Sequence, residues 1–342
     1  MDRSFPTTLL DFQRRFPAEP ACAAYLEAVR WPEGFVCPRC HVQAEPSLIA
    51  TRSTLRQCGA CRHQASLTAG TVMHRSKQPL QSWFWAAYLV TTHTPGMSAV
   101  QFQRQLGIGR YETAWNLLHK LRAAMVRPQR ERIGGNRDDW RIEVDEGYVG
   151  GRTRGEGRGV THKELVAVAV EVRERDKPRR KDGKRTRRDV IAGRLRLRHI
   201  PNRSRKTLEG FVQESVEPSS LVITDGWKNY DRLPKLGYRH EAQAIHGDPE
   251  VAEAWLPMCH IVISNLKSWL LGIHHGVSAK HLQAYLNEFV FRFNRRFYPM
   301  STVHSVLGIA MRVGGPTYEG LYDGVWRHPG PGGRGGPAEA TG

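Results

Sequence analysis

The chain has 342 residues, 40% hydrophobic and 25% charged, a composition that is ordinary for a globular protein and excludes a largely disordered one. Its formal net charge of +18 and isoelectric point near 10.0 indicate a polyanionic partner, with nucleic acid as the first candidate. No apolar run approaches the ~18 residues of a membrane span, and the first ten residues lack the apolar core of a signal peptide, so we expect a cytoplasmic protein without membrane attachment.

Residues 1–33 are predicted to form an N-terminal helical segment. In the stretch PACAAYLEAVRW, four residues fall at helical spacing: Cys22, Tyr25, Leu26 and Val29. This periodicity predicts a short amphipathic helix, and we interpret its apolar face as a packing surface.

Residues 34–70 are predicted to form a zinc ribbon. Two CxxC pairs are separated by 17 residues: Cys37 with Cys40, and Cys58 with Cys61. Each two-residue gap allows a tight turn to aim both sulfurs at one tetrahedral ion, and six cysteines in a reducing compartment favour metal over disulfides. His41 and His63 lie beside the pairs; either could replace a thiolate, but we interpret both as bystanders. With all four positions filled by cysteine, the zinc would be structural.

Residues 79–127 are predicted to form a helix-turn-helix region. LQSWFWAAYLV indicates a buried helix, SAVQFQRQL a second helix with Ser98 as its N-cap, and RYETAWNLLHKLRAAM a third helix after the turn GIG. A short helix, a glycine turn and a longer helix are typical of DNA-reading elements, although helical trios often merely pack. The predicted reading face comprises Arg110, Tyr111, Glu112 and Asn116.

Residues 138–300 are predicted to form an α/β catalytic domain. RIEVDEGYVGG, ELVAVAVEV and VIAGRLRLRHI indicate three consecutive strands, RKTLEGFVQESV a helix, and SLVITDGW a buried fourth strand. Between the second and third strands, Arg173 to Arg188 carries ten Lys or Arg against three acids, which predicts an exposed hairpin tip that contacts phosphates. Residues 301–342 form a C-terminal segment whose Gly/Pro-rich end is predicted to be disordered.

Two acidic residues follow apolar strand residues in this domain. Asp145 is predicted to end the first strand and Asp225 to end the fourth. If these strands are neighbours in a mixed sheet, both carboxylates meet at one edge, where Mg²⁺ or Mn²⁺ would relieve their repulsion. Either acid alone is more typical of a turn or an N-cap. As a pair, with three strands, a helix and a fourth strand in this order, they suggest a ribonuclease H-like site.

The third ligand of such a site is expected on a later helix, predicted from about Pro257 to Leu271. His260 and Lys267 are seven residues apart, so they return to within roughly 20° of one helix face, whereas Asn265 points roughly 140° away from His260. We therefore predict His260 as the third metal ligand, with Lys267 reaching DNA phosphates beside it. Glu288 is the rival acid, but an ion pair with Arg292 four residues later is its simpler explanation.

The chain resembles the zinc-ribbon insertion-sequence transposases of IS family 1595, whose catalytic part is called the ISXO-like transposase domain. The resemblance runs nearly end to end and rests on five stretches in this order: FPAEPACAAYLEAVRWPEGFVCPRC, QASLTAGTVMHRSKQPLQSWFWAAYLV, VDEGYVGG, ITDGWKNY and LKSWLLGIHHGVSAKHLQAYLNEFVFRFNRR. The resemblance implies a ribonuclease H-like DDE transposase with Asp145 and Asp225 as the first two acids. The usual third acid lies seven residues before the helix lysine, and this chain has His260 there.

The predicted fold is thus α/β: a ribonuclease H-like mixed sheet with helices, preceded by a small zinc ribbon and a helix-turn-helix region. The predicted function is metal-dependent 3′-end cleavage of terminal inverted repeats and strand transfer into target DNA by a bacterial insertion-sequence transposase. The expected partners are double-stranded DNA and further copies of the chain, in a homodimer or a larger synaptic complex. The alternative is a catalytically lapsed, transposase-derived DNA-binding regulator.

Overall fold

The structure is a computed structural model that describes residues 5–49, 52–127, 130–136, 139–150, 163–174, 190–245 and 248–323. These residues form two compact units. The first unit contains the chain before Arg130 together with the chain from Arg295 onward, and the second contains Arg130–Asn294. Most of the basic Arg173 to Arg188 run and the Gly/Pro-rich end of the chain lie outside the described residues.

The first unit opens with two helices, α1 (Leu9–Arg15) and α2 (Glu19–Arg30). As the apolar periodicity predicts, α2 buries Cys22, Tyr25 and Leu26. A three-stranded antiparallel sheet follows: β1 (Ser47–Leu48), β2 (Leu55–Gln57) and β3 (Gln64–Ser66). The strands are so short that their small core, built around Phe35 and Ala65, depends on the cysteines between them.

Three further helices complete this part of the first unit: α3 (Leu80–Thr92), α4 (Ala99–Gln105) and α5 (Tyr111–Ala123). The Ser98 side chain caps α4 by accepting the Gln101 N–H. Trp83 and Phe84 on α3 are buried, as expected for the buried helix predicted from LQSWFWAAYLV. On the predicted reading face, Arg110, Tyr111 and Glu112 are exposed, and Asn116 is partly buried.

The second unit is built on a mixed five-stranded sheet. Its strands are β4 (Trp140–Val149), β5 (Glu164–Glu174), β6 (Val190–Ile200), β7 (Leu221–Thr224) and β8 (Arg239–Ala242). The spatial order is β6-β5-β4-β7-β8. The first three strands pair antiparallel, whereas β4 pairs with β7, and β7 with β8, in parallel. The three predicted consecutive strands are confirmed, and the predicted fourth strand is the parallel neighbour of the first.

Helices cover both faces of this sheet: α6 (Arg205–Ser215) lies on one face, and α8 (Pro257–His274) and α9 (Ala279–Phe293) lie on the other. Alternate residues of β5 belong to two separate cores, since Val168 packs with α8 whereas Ala167 packs with α6. A strand buried on both faces has no polar side, which explains the continuous apolar run LVAVAV. A short helix, α7 (Pro249–Trp255), precedes α8.

The last two described helices, α10 (Pro299–Ala310) and α11 (Tyr318–Tyr322), belong to the first unit. One buried face of α10 packs against α3, and the Val72 N–H donates to the Ala310 carbonyl at 3.0 Å. None of the helices in the described part of the chain combines the length and the apolar character that crossing a bilayer requires.

Candidate active site

The four cysteines of the ribbon converge on one point. Sγ of Cys37 lies 3.6 Å from Sγ of Cys61, and Sγ of Cys40 lies 3.7 Å from Sγ of Cys58. All four sulfurs lie within 4.8 Å of one another. A tetrahedral zinc ion with ~2.3 Å bonds places its sulfurs about 3.8 Å apart, so this geometry fits zinc.

Backbone N–H groups of the two knuckles lower the pKa of two of the four thiols, those of Cys37 and Cys58. Burial opposes ionisation of Cys37, but hydrogen bonds from the Cys40 and Arg39 N–H groups lower the pKa of its thiol to about 6. The Cys61 N–H is the largest cause of the lowered pKa of Cys58. His41 is exposed, His63 is partly buried, and neither belongs to the group of ligand atoms, in line with their interpretation as bystanders.

Asp145 and Asp225 are brought together by the parallel pairing of β4 and β7. Ile142 pairs with Val222 and Glu143 with Ile223, so continuing this register places Asp145 beside Asp225. The prediction that Asp145 ends its strand is wrong: β4 continues to Val149 because antiparallel pairing with β5 extends that far. The neighbour β7 ends at Thr224, and this exposes an edge of β4 beside Asp225.

The backbone fixes one oxygen of each carboxylate. Oδ1 of Asp145 accepts the Glu146 N–H at 2.7 Å, and Oδ1 of Asp225 accepts the Trp227 N–H at 3.0 Å. Gly226 makes the turn after Asp225 possible, since it has a φ of +80° and a Cβ there would lie 2.9 Å from the Ala244 backbone nitrogen.

The third predicted ligand reaches the same place from α8. Nε2 of His260 lies 3.8 Å from Oδ2 of Asp145, and the imidazole is partly exposed. Lys267 and Asn265 are both exposed further along this helix. The helix ends at His274, three residues beyond the predicted end, where His275 adopts a left-handed conformation.

Glu288, the rival acid, is 1% exposed and lies 3.6 Å from the Arg292 guanidinium, the i to i+4 ion pair that the sequence favoured.

A third acid, Glu146, shapes the electrostatics of this site and was not singled out from the sequence. It points to the opposite face of β4, where the Tyr230 hydroxyl donates to Oε2 at 2.7 Å and Arg203 Nε lies 3.3 Å from Oε1. Burial, together with the negative charges of Glu146 and Asp225, raises the pKa of Asp145 to about 7. The site thus concentrates negative charge in a poorly hydrated position, which favours a bound cation.

Glu143 also escaped the sequence interpretation. It is fully buried, and Oε2 accepts the Met258 N–H at 2.7 Å and the Cys259 N–H at 3.0 Å. Burial raises the pKa of this carboxyl group. In an alternating strand pattern, a polar residue such as Glu143 is expected to face solvent. No local sequence signal indicated that the N-terminus of α8 packs against this residue.

The donor set at Asp145, Asp225 and His260 fits a hard divalent cation. Two carboxylates and one imidazole offer oxygen and nitrogen ligands, with partial exposure for water and phosphate. The three side chains are less tightly gathered than the ribbon cysteines, which form the single close group of three or more potential ligands among the described residues.

Two family descriptions match the chain. Residues 138–294 match the ISXO2-like transposase domain, and residues 17–64 match the transposase zinc-ribbon domain. Both descriptions carry the IS1595 family name, and together they cover more than half of the chain. The chain belongs to the zinc-ribbon transposases of IS family 1595. No curated protein and no solved structure matches it.

Membership of IS family 1595 confirms the resemblance seen in the sequence. This transposase carries a structural zinc site at its four ribbon cysteines. Its larger matched domain implies an enzyme of the polynucleotidyl-transferase type, and it is the part of the chain that contains Asp145, Asp225 and His260.

Proposed function

We propose that this transposase cuts the 3′ ends of its element at the terminal inverted repeats and joins them to target DNA in a ribonuclease H-like active site. The strand order β6-β5-β4-β7-β8, with three antiparallel strands followed by two parallel ones, supports a ribonuclease H-like fold. The catalytic domain is proposed to span residues 138–300, after the ribbon at 34–70 and the DNA-reading helices at 79–127.

The single observation that carries this proposal is the meeting of Asp145, Asp225 and His260. Three potential ligands, separated by 80 and 35 residues in the sequence, approach one another where β7 ends beside β4. Packing alone does not require two acids and a histidine in one partly buried position, because each unpaired charge there costs desolvation energy.

In this proposal Asp145, Asp225 and His260 would hold Mg²⁺ or Mn²⁺, which would supply an activated water and a polarised phosphate when bound. The backbone-fixed Oδ1 atoms keep both carboxylates oriented before DNA arrives. The water cuts the strand, and the freed 3′-hydroxyl attacks the target, so no side chain acts as a covalent nucleophile. Lys267, exposed two turns after His260, binds DNA phosphates.

Recognition of the element ends is assigned to the first unit. Arg110 and Tyr111 are exposed at the start of α5, where a recognition helix places its base-reading residues. The ribbon assists this docking, and the basic Arg173 to Arg188 run adds phosphate contacts. Because two ends must be joined, we propose a homodimer or a larger synaptic complex as the working form.

The proposal is tested with double-stranded DNA that carries the element's own ends, labelled at one strand. Purified full-length protein with Mn²⁺ or Mg²⁺ should nick each end at its 3′ boundary, and Asp145→Ala should bind the same DNA without nicking it. Parental protein that binds the ends but produces no nick with either metal would favour a lapsed, DNA-binding regulator instead.

A further inference from the structure

Three alternate residues of β4 point toward α8: Glu143, Asp145 and Gly147. Their common face follows from the two-residue period of a strand. Val149, which continues the same series, belongs to the core that includes α8, whereas Ile142 and Val144 belong to the core that includes α6. The proposed metal ligand therefore has a buried acid on one side and a glycine on the other.

Glu143 joins the strand directly to the beginning of the helix. Its Oε2 accepts two N–H groups, those of Met258 and Cys259, in the first turn of α8, where backbone donors have no partner within the helix. His260 is the next residue along the chain. One carboxylate thus ties the strand that carries Asp145 to the backbone immediately before His260.

Gly147 sets the approach of the same helix on the other side of Asp145. A Cβ at this position would lie 3.0 Å from Cδ1 and 3.2 Å from Cγ2 of Ile263. Ile263 follows His260 by about one helical turn. Glycine thus allows α8 to lie closer to β4 than a side chain would permit.

We propose that Glu143 is a positioning residue that, with Gly147, docks α8 on β4 and holds His260 at ligand distance from Asp145. This inference rests on the proposed metal site and adds the groups that keep its ligands in place. Removing a residue that orients metal ligands typically changes metal affinity or activity by about 10–100-fold. A charged acceptor at a helix N-terminus is suited to this role, because the helix dipole favours negative charge there.

The competing explanation is that Glu143 merely stabilises a helix. Ser204 offers a matched control, because its hydroxyl caps α6 by accepting the Thr207 N–H on the other face of the sheet. Removal of a side chain that accepts N–H groups at a helix N-terminus destabilises either helix. Only a positioning role predicts that the two substitutions differ in their effect on metal binding.

The test measures Mn²⁺ affinity of zinc-loaded, DNA-free protein by calorimetry, with amide hydrogen exchange at the start of α8 measured without Mn²⁺. Glu143→Ala should weaken Mn²⁺ binding about 10–100-fold and speed exchange of the Met258 and Cys259 amides. Glu143→Gln, which keeps an acceptor oxygen, should recover most of that affinity. Ser204→Ala should leave Mn²⁺ affinity unchanged.

Gly147→Ala supplies a second test if Glu143→Ala does not fold. The added methyl should push α8 outward and weaken Mn²⁺ binding, and adding Ile263→Val, which removes the nearest atom, should restore part of the affinity. Parental Mn²⁺ affinity in both Glu143→Ala and Gly147→Ala would overturn the inference, as would an equal decrease in Ser204→Ala. Asp145→Ala distinguishes the two proposals: if it retains Mn²⁺ binding, the proposed metal site itself is wrong.

Discussion

An imidazole at position 260 changes the charge of the proposed metal site. A carboxylate ligand would add a negative charge, whereas an imidazole coordinates a metal as a neutral ring, so the ligand set of Asp145, Asp225 and His260 carries one negative charge fewer. Manganese accepts nitrogen ligands more readily than magnesium does. The site is therefore expected to prefer Mn²⁺.

His260→Ala should reduce Mn²⁺-dependent cleavage of the element ends by at least about 100-fold, whereas His260→Glu should retain cleavage and shift its preference toward Mg²⁺. Asn265→Ala is the matched control on the same helix, because Asn265 is exposed and is not expected to face the site. Cleavage rates with each metal, measured at equal DNA occupancy, check this prediction. Parental activity in His260→Ala would move the third ligand elsewhere, with Glu288 as the next candidate.

The residues of this site were only partly predictable from the sequence. Asp145 and Asp225 could be found because each follows an apolar strand pattern and precedes a glycine within two residues. Glu146 and Glu143 could not be found in this way, since their partners, Tyr230 and the first turn of α8, are distant in the sequence. Local pattern shows which residues a strand carries, but it does not show what covers the strand.

Among the secondary-structure elements, the pairing of β5 with β6 depends on one buried acid. Glu171 accepts hydrogen bonds from the Arg194 guanidinium and the Arg194 N–H, and from the Gly134 N–H that precedes β4. Burial opposes ionisation of Glu171, but these donors outweigh it and lower the pKa of its carboxyl group. The acid therefore binds three parts of the second unit together in its charged form.

Glu171→Gln should lower the free energy of unfolding by about 3 kcal/mol at pH 7. A lowered pKa in the folded state stabilises the fold above the unfolded pKa and loses that effect as the pH falls through the folded pKa. The difference between parent and variant should thus be constant above about pH 5 and shrink in stronger acid. Urea unfolding followed by circular dichroism measures it.

Glu164→Gln is the control on the same strand, because its ion pair with His199 is about one-third exposed and such pairs contribute at most ~1 kcal/mol. A Glu171→Gln variant as stable as the parent at pH 7, or one whose deficit grows in acid, would contradict this account of the pairing.

The fold of the zinc ribbon is expected to depend on its bound zinc ion. Its core consists of Phe35, Ala65 and the cysteines themselves, with Trp31 packed beside them, which is too little apolar surface to hold three short strands. Purified protein should contain about one zinc per chain. Cys37→Ser combined with Cys58→Ser should remove it, as measured by elemental analysis.

Cys22→Ala provides the control for the zinc measurement, because Cys22 is buried in α2 and lies outside the four-cysteine group. It should keep its zinc. Zinc retained in the double serine variant would show that other residues bind the ion.

Secondary structure in the chain was predictable to different degrees. The strands β4, β5 and β6 follow clear apolar patterns, as does α8. In contrast, β8 is mostly exposed and reads RHEA, so its place beside β7 comes from backbone pairing that no side-chain pattern reveals. The sequence interpretation did not single out α10 as a helix, and its packing on α3, more than 200 residues earlier, is a tertiary contact that no local pattern predicts.

For the whole molecule, the dominant feature is a large positive net charge, which opposes folding through self-repulsion and therefore indicates a polyanionic partner. The net charge of +18 is carried by both units, and the densest run, Arg173 to Arg188, lies mostly outside the described residues. Phosphate contacts release counterions, so DNA affinity should fall steeply with salt.

Replacing residues 175–188 with a short Gly/Ser linker should weaken binding to all DNA sequences alike, and it should reduce the slope of log affinity against log salt by about 0.9 for each phosphate that the variant no longer neutralises. Fluorescence anisotropy at several salt concentrations measures both quantities. Asp145→Ala should keep the parental slope. If the linker variant loses only its binding to specific sequences and its salt slope is unchanged, this run recognises bases and the predicted phosphate contacts are wrong.

The central claim is that Asp145, Asp225 and His260 form one active site for DNA strand transfer. Pre-cut, labelled element ends that already carry a 3′-hydroxyl test it most directly, because they bypass end cleavage and isolate the joining step. With Mn²⁺ and a plasmid target, the parental protein should produce joined product, whereas Asp225→Ala should bind the ends equally well and join at least about 1000-fold more slowly, because a ligand of the activating metal is removed. Joining by Asp225→Ala at the parental rate would contradict the claim.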